Sequence, residues 1–424
     1  MKRNLLYISS ILFLLVGLFL CYKYYEREEE EKRIELKKQQ EKLKMEQLKA
    51  SYNKYVITNK ETNLYVLNEK KYDVIGKVNK DIELSLADIE LDADVEYFLI
   101  DTYEDEYYIS YKDVSPIDKM TEIDYRYKKY IVFNKNIKTD ESVKLYRDDE
   151  YVLELNKEFD LPIIFKEKDR KYVEYGEQLY YIKDEDIVQE YDKNNTSEKV
   201  GNRVRTFVYH RIFDPKTEKC NQVICHKEED FDSHMKYLSD NEYLSLTMRE
   251  LELFIDGNLQ IPVKSVVITI DDGTMDKRAI PILEKYKINA TLFLVTSRFK
   301  EQDYIDFTSD YLELHSHTHN MHWAGECSGY GSQGGGILCL PEDHVLNDLK
   351  ASRDMLNGST AFCYPFYDYN KRAIDLLKQA GFTMAFAGDE GNGGYSYVGT
   401  NKMLIPRLTL NAYTTYKMFV SYVN

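Results

Sequence analysis

Two short stretches hold residue types whose spacing could do chemistry. Residues 266–273, Val-Val-Ile-Thr-Ile-Asp271-Asp272-Gly273, are an apolar run that ends in adjacent carboxylates. The run reads as a buried strand. Neighbours at a strand end point in different directions, so one carboxylate can hold a cation while the other stays free as a base. Asp-Gly after a strand is also a common turn signal, and this motif alone leaves both readings open. The second stretch, Glu313-Leu-His315-Ser-His317-Thr-His319-Asn-Met-His322, packs four of the chain's eight histidines into eight residues. It too starts at the end of an expected strand. Neutral imidazoles with one carboxylate suit zinc and leave positions for water and substrate. Cobalt, nickel, manganese or iron would also be accommodated.

The elements around these stretches alternate. Residues 204–208, 265–270, 288–295, 311–314, 361–364, 383–387 and 403–410 read as strands, with helices expected at 276–286, 342–356 and 371–380. Such alternation implies a largely parallel α/β domain over residues 203–424, with its chemistry at the carboxyl ends of the strands. Upstream, residues 52–191 look like two copies of one unit. Tyr55-Val-Ile-Thr-Asn-Lys returns as Tyr130-Ile-Val-Phe-Asn-Lys, and Tyr107-Tyr-Ile-Ser-Tyr-Lys-Asp-Val returns as Tyr180-Tyr-Ile-Lys-Asp-Glu-Asp-Ile. Both copies are β-rich runs broken by charged turns. Residues 52–120 and 121–191 are therefore expected as two small all-β domains, joined to the α/β domain by a polar linker at 192–202. Residues 26–51 are rich in charged helix formers and read as a solvated helical stalk.

The N-terminus sets the compartment. Lys2 and Arg3 precede an uncharged apolar run at 5–22 of membrane-spanning length. Residues 1–25 are expected as a cytoplasmic tip and single-pass signal anchor, with the rest outside the cell; a cleaved signal peptide is the rival reading, but LFLCYKYY offers no small-residue cleavage site. In that compartment Cys220–Cys225 and Cys327–Cys339 are expected as disulfides, and Cys363 as a buried strand thiol. The formal net charge of −16 argues against a nucleic-acid partner, which needs a basic surface, and admits a glycan.

Residues 203–424 resemble the polysaccharide deacetylase family, carbohydrate esterase family 4. Thr269-Ile270-Asp271-Asp272-Gly273 resembles its T-F-D-D-G motif, Ser316-His317-Thr318 its S-H-T motif, and Phe362-Cys363-Tyr364-Pro365-Phe366 a variant of its third motif. Tyr209-His210 and Ile405-Pro406-Arg407 resemble motifs of a poly-N-acetylglucosamine-deacetylase-like subgroup. The resemblance implies a distorted (β/α) barrel and the N-deacetylation of an N-acetylated glycan. It makes Asp271 the general base, Asp272 and His317 metal ligands, and Phe366 the backbone N–H donor to the oxyanion. The second imidazole would be His322, five residues on, because the position four on is Met321; His315 with His319 is the other reading. The family's late L-x-H is missing. His210 is a substitute acid or a core histidine, and Arg407 an anchor for Asp271 or a structural ion pair. The upstream pair loosely resembles tandem SH3-like domains. Peptidoglycan is the favoured glycan, with a secreted exopolysaccharide or a weakly active wall-binding scaffold as alternatives.

Overall fold

The computed structural model describes residues 17, 22–40, 42–44, 47, 52, 54–87, 96–101, 106–119, 134–156, 158–175, 178–194, 199–272, 277–300, 303, 307–389 and 391–424. The expected membrane segment lies almost wholly outside them. Among the described residues no helix is long and apolar enough to cross a membrane. Residues 22–40 are helical and exposed, as a charged stalk would be, with Arg27–Glu31 and Glu28–Lys32 ion pairs one turn apart.

The described residues fall into two compact units. One is drawn from 1–123, 141–157 and 175–179, the other from 124–140, 158–174 and 180–424. The second expected β domain is thus shared between them. In the first unit Tyr55–Thr58 pairs with Glu83–Ser85 and Val114–Ile117. There too the hairpin strand Glu150–Leu155 adds to Lys71–Val78. In the second unit Lys135–Thr139 pairs with Asp160–Pro162 and Ile187–Asp192. The sequence repeat is visible in these elements. Tyr107–Ser110 leads through a 3-10 turn at Tyr111–Asp113 into Val114–Ile117. Gln178–Lys183 leads likewise through Asp184–Asp186 into Ile187–Asp192.

The second unit also holds the α/β domain. Its parallel strands are β1 (Val204–Tyr209), β2 (Ser265–Ile270), β3 (Ala290–Leu294), β4 (Leu312–Ser316), β5 (Ala361–Cys363) and β6 (Met384–Phe386), hydrogen-bonded in that order. The short strand β7 (Leu408–Thr409) runs parallel to β1, and Ile405 bridges to Phe386 of β6. Segment 405–409 therefore touches both ends of the parallel array, where a distorted barrel was expected. All residues of β2 and β3 are buried, as strands covered on both faces must be.

Helices α1 (Glu228–Asp240), α2 (Met248–Ile255), α3 (Ala279–Tyr286), α4 (Glu342–Met355), α5 (Lys371–Ala380) and α6 (Tyr416–Val423) complete the domain. Thr247 opens α2 with a capping box to Glu250. Helix α5 starts on the Asn370 side chain and stops at Gly381, whose φ of 94° suits only glycine well. One apolar cluster joins α1, α3 and α6 to β1–β3, and a second joins α4 and α5 to β5. Both expected disulfides are present, and Cys363 is the free, buried cysteine among the described residues.

Candidate active site

The candidate residues meet at the carboxyl ends of the parallel strands. His210 follows β1, Asp271 and Asp272 follow β2, His317 follows β4, Phe366 follows β5 and Arg407 precedes β7. In open or closed parallel sheets this edge is where loops converge and ligands bind.

Asp271 is 2% exposed and Arg407 is fully buried. The guanidinium grips the carboxylate with both arms, Nη1–Oδ1 at 2.7 Å and Nη2–Oδ2 at 2.8 Å. The Cys363 thiol donates to the same Oδ2 at 3.2 Å and accepts from Arg407 Nη2 at 2.9 Å. The rings of Tyr367, Phe293 and Phe386 lie 5.3, 5.8 and 5.8 Å from the guanidinium carbon. Burial works against the Asp271 charge, but Arg407, and secondarily His317, outweigh it and hold the carboxyl below its usual range.

Asp272 has the opposite setting. It adopts a positive φ of 72°, which turns its side chain away from that of Asp271. Its Oδ1 lies 3.0 Å from His322 Nε2 and 3.5 Å from His317 Nε2, and the two imidazole nitrogens are 3.0 Å apart. Acceptor atoms so close repel unless a proton or a metal cation sits among them. On a tetrahedral zinc, bonds of about 2.0–2.1 Å put ligand atoms about 3.3 Å apart, which matches these separations. The tautomer also fits, because His317 Nδ1 is 2.8 Å from the Cys363 carbonyl and can only donate there, leaving Nε2 bare. Burial opposes charge on both residues. Where no metal is bound a proton takes that place: the hydrogen bonds from His317 and His322 then drive the Asp272 carboxyl far down, while Cys363 and Asp272 drive His317 up. These residues could hold one divalent cation.

The other two clustered histidines are turned elsewhere. His315 Nδ1 lies 2.9 Å from Ser359 Oγ, and burial pushes its pKa down to about 4. His319 Nδ1 lies 2.9 Å from Thr296 Oγ1. Met321 is buried in the apolar cluster of α4 and α5. His210 is half-buried, and no described residue accepts or donates at its Nδ1. Burial lowers its pKa, with Asp271 and Asp272 pulling the other way. Phe366 and Tyr367 both have left-handed backbones, φ 58° and 59°, in the turn after Pro365. Two non-glycine residues in that region store strain of a kind found at functional sites. The turn leaves the Phe366 N–H without a described acceptor, and the Phe366 ring lies 4.8 Å from that of His322.

Asp348 and Asp368, which no sequence motif names, and the Cys363 thiol brace this site. Asp348 on α4 accepts the backbone N–H groups of His319 and Asn320 at 2.7 and 2.6 Å, fixing the histidine loop. A signal existed: Asp348 falls on the α4 face that buries Val345, Leu349 and Ser352. Asp368, three residues after Pro365, accepts from the N–H groups of Ser332, Gln333 and Gly335. Cys363 was read as a buried thiol, but its bridging of Asp271 and His317 carries no local signal.

A mainly parallel α/β domain with two carboxylates and two imidazoles gathered at its strand ends has the make-up of a hydrolase able to hold a metal. Residues 259–385 match the polysaccharide deacetylase family, whose members are generally metal-dependent. A poly-β-1,6-N-acetyl-D-glucosamine N-deacetylase of Staphylococcus aureus (strain MRSA252) is 26% identical over 209 residues, covering 45% of this chain and 69% of that protein. The Bacillus subtilis (strain 168) protein YxkH is 27% identical over 173 residues, covering 39% of this chain and 59% of its own. Among solved structures, a de-N-acetylase from Aggregatibacter actinomycetemcomitans aligns with a TM-score of 0.45 at 22% identity, over 52% of this chain and 99% of that one.

Proposed function

We propose that residues 203–424 remove N-acetyl groups from N-acetylglucosamine-type residues of a glycan, giving acetate and a free amine. The observation that carries this reading is the convergence of Asp272, His317 and His322 beside an ionised Asp271. Those three side chains would hold a divalent cation, with zinc the best fit to the donor set. When bound, such a cation lowers the pKa of a water and polarises the acetyl carbonyl. Asp271 takes a proton from the attacking water. Arg407 and Cys363 hold its carboxylate in place. The Phe366 N–H donates to the oxygen that gains charge. His210 is placed to pass the proton that Asp271 has taken on to the leaving nitrogen.

The relatives' names favour poly-β-1,6-N-acetylglucosamine over peptidoglycan as the glycan, and the five-residue spacing of His317 and His322 agrees. We further propose that the apolar run at 5–22 anchors the chain with this domain outside the cell. Acetate release should be measured on poly-β-1,6-N-acetylglucosamine, peptidoglycan and soluble N-acetylglucosamine oligomers. Release must stop with a chelator and return with a divalent metal. No release from any of the three glycans with metal present would overturn the proposal.

A further inference from the structure

Beside the site lies a loop that is far better braced than its glycines suggest. It runs from Trp323 to Cys339 and is closed by the Cys327–Cys339 disulfide. Its two arms are hydrogen-bonded, Gly325 N–H to the Gln333 carbonyl at 2.8 Å and Cys327 N–H to the Gly334 carbonyl at 2.9 Å. The Asp368 carboxylate, 3% exposed, accepts the Ser332, Gln333 and Gly335 N–H groups at 2.6, 3.0 and 3.1 Å, and the Ser332 hydroxyl at 3.0 Å. At Gly331, φ is 58° and Asp368 and Leu338 leave no room for a side chain.

The same loop abuts the reacting centre. Ser332 Oγ lies 3.3 Å from the Phe366 carbonyl oxygen, and a methyl at Gly335 would touch the Phe366 ring at 3.5 Å. That ring in turn leans on His322. Yet the loop leaves two large aromatic rings in water. Trp323, the chain's single tryptophan, is 56% exposed and directly follows His322. Tyr330, which precedes Gly331, is 57% exposed. Holding large rings in water on a rigid support makes physical sense when they await a flat, partly apolar ligand, because the ordering cost of binding has already been met.

We propose that Trp323 and Tyr330 are glycan-stacking residues. They would receive the C–H faces of pyranose rings flanking the residue being deacetylated, so that this loop sets a preference for polymer over single sugars. The inference rests on the deacetylase reading above. Pyranose rings carry weakly positive C–H groups on one face, and indole and phenol rings present a negative π face to them. The disulfide and Asp368 brace the segment that carries Tyr330, and the Gly325–Gln333 hydrogen bond ties the turn after Trp323 to it.

The test compares kcat/KM for acetate release from N-acetylglucosamine hexamer and dimer, in the parent and in Trp323→Ala, Tyr330→Ala, Trp323→Phe and Tyr330→Phe. Each alanine variant should lower the hexamer-to-dimer ratio by about tenfold, mainly through KM, which corresponds to about 1.4 kcal/mol of lost contact with the longer ligand. The phenylalanine variants should keep most of the ratio, because the ring and not its polar atom makes the contact. An unchanged ratio in both alanine variants overturns the inference, and so does an equal loss on hexamer and dimer. A parent that releases no acetate from either oligomer fails the functional reading instead, so the two failures are distinguishable.

Discussion

Asp271 and Asp272 are neighbours in the chain and live in opposite surroundings. The Asp271 side is dry and already neutralised by protein: Arg407 supplies the counter-charge and Cys363 a further donor. The Asp272 side is partly open, with its carboxylate 18% exposed. It gathers an anion and two imidazoles whose facing atoms lie 3.0–3.5 Å apart, and Arg298 reaches His322 only at Nδ1, at 3.4 Å. One half is complete as folded, and the other asks for a positive charge. His317 belongs to both, with Nε2 facing Asp272 and Nδ1 tied to the carbonyl of Cys363. The lesson is that two adjacent carboxylates need not share a role. The side chain that each meets across the sheet divides the labour.

The largest effect should come from the open half. His322→Ala should abolish metal uptake, measured as bound metal per chain, whereas His319→Ala should retain it, because His319 is engaged by Thr296. If His319→Ala empties the site and His322→Ala does not, the two halves have been drawn wrongly. The closed half should separate chemistry from metal. Asp271→Asn should keep its metal and release acetate about 10²–10⁴-fold more slowly, the usual cost of losing a general base. Loss of metal in that variant would mean that the two aspartates have exchanged roles.

Arg407→Met should act on stability first. It leaves Asp271 buried without its counter-charge, a change that typically costs about 3–5 kcal/mol. Urea unfolding of the two proteins would measure it, and a difference under about 1 kcal/mol would show that the pair is not desolvated as the structure has it. Asp368→Asn should cost less, about 1–3 kcal/mol, by turning a donor toward N–H groups that had an acceptor. Its readout is faster hydrogen exchange at Ser332, Gln333 and Gly335.

A pH effect of comparable size separates structural histidines from ligating ones. His226 and His234 lie outside the site, and burial pushes their pKa values down to about 4 and about 3. Between pH 6.5 and 4 the unfolded chain binds protons there that the folded chain does not. Stability conferred by the neutral forms is therefore present above about pH 6.5 and is lost as pH falls through that window. Denaturation midpoints at pH 7, 5.5 and 4.5 should fall in that order for the metal-loaded protein.

Much of this was legible in the chain. Helices at 342–356 and 371–380 were placed to within a residue, because their apolar faces and flanking Gly and Asn residues are local signals. The α1, α2 and α6 helices were passed over: α1 has a charged first turn, and α2 and α6 are short, so period alone did not declare them. The second β repeat was expected as a separate body, but its strands divide between two compact units. Sequence similarity between repeats reports local strand and turn chemistry, and it is blind to which sheet a hairpin joins.

The chain by itself determined the inventory: a buried strand ending in two carboxylates, a histidine-rich stretch after another strand, a late arginine, and cysteines spaced for local pairing. Residue type and short-range periodicity suffice for that, since both act within one element. Only the tertiary structure decided which aspartate meets Arg407, which two of four histidines face Asp272, and that Asp348, Asp368 and Cys363 hold the loops in register. Those outcomes depend on strands far apart in sequence lying side by side, and on backbone turns such as Phe366–Tyr367 that no single residue announces. Long-range contact chooses among side chains that local chemistry leaves equivalent.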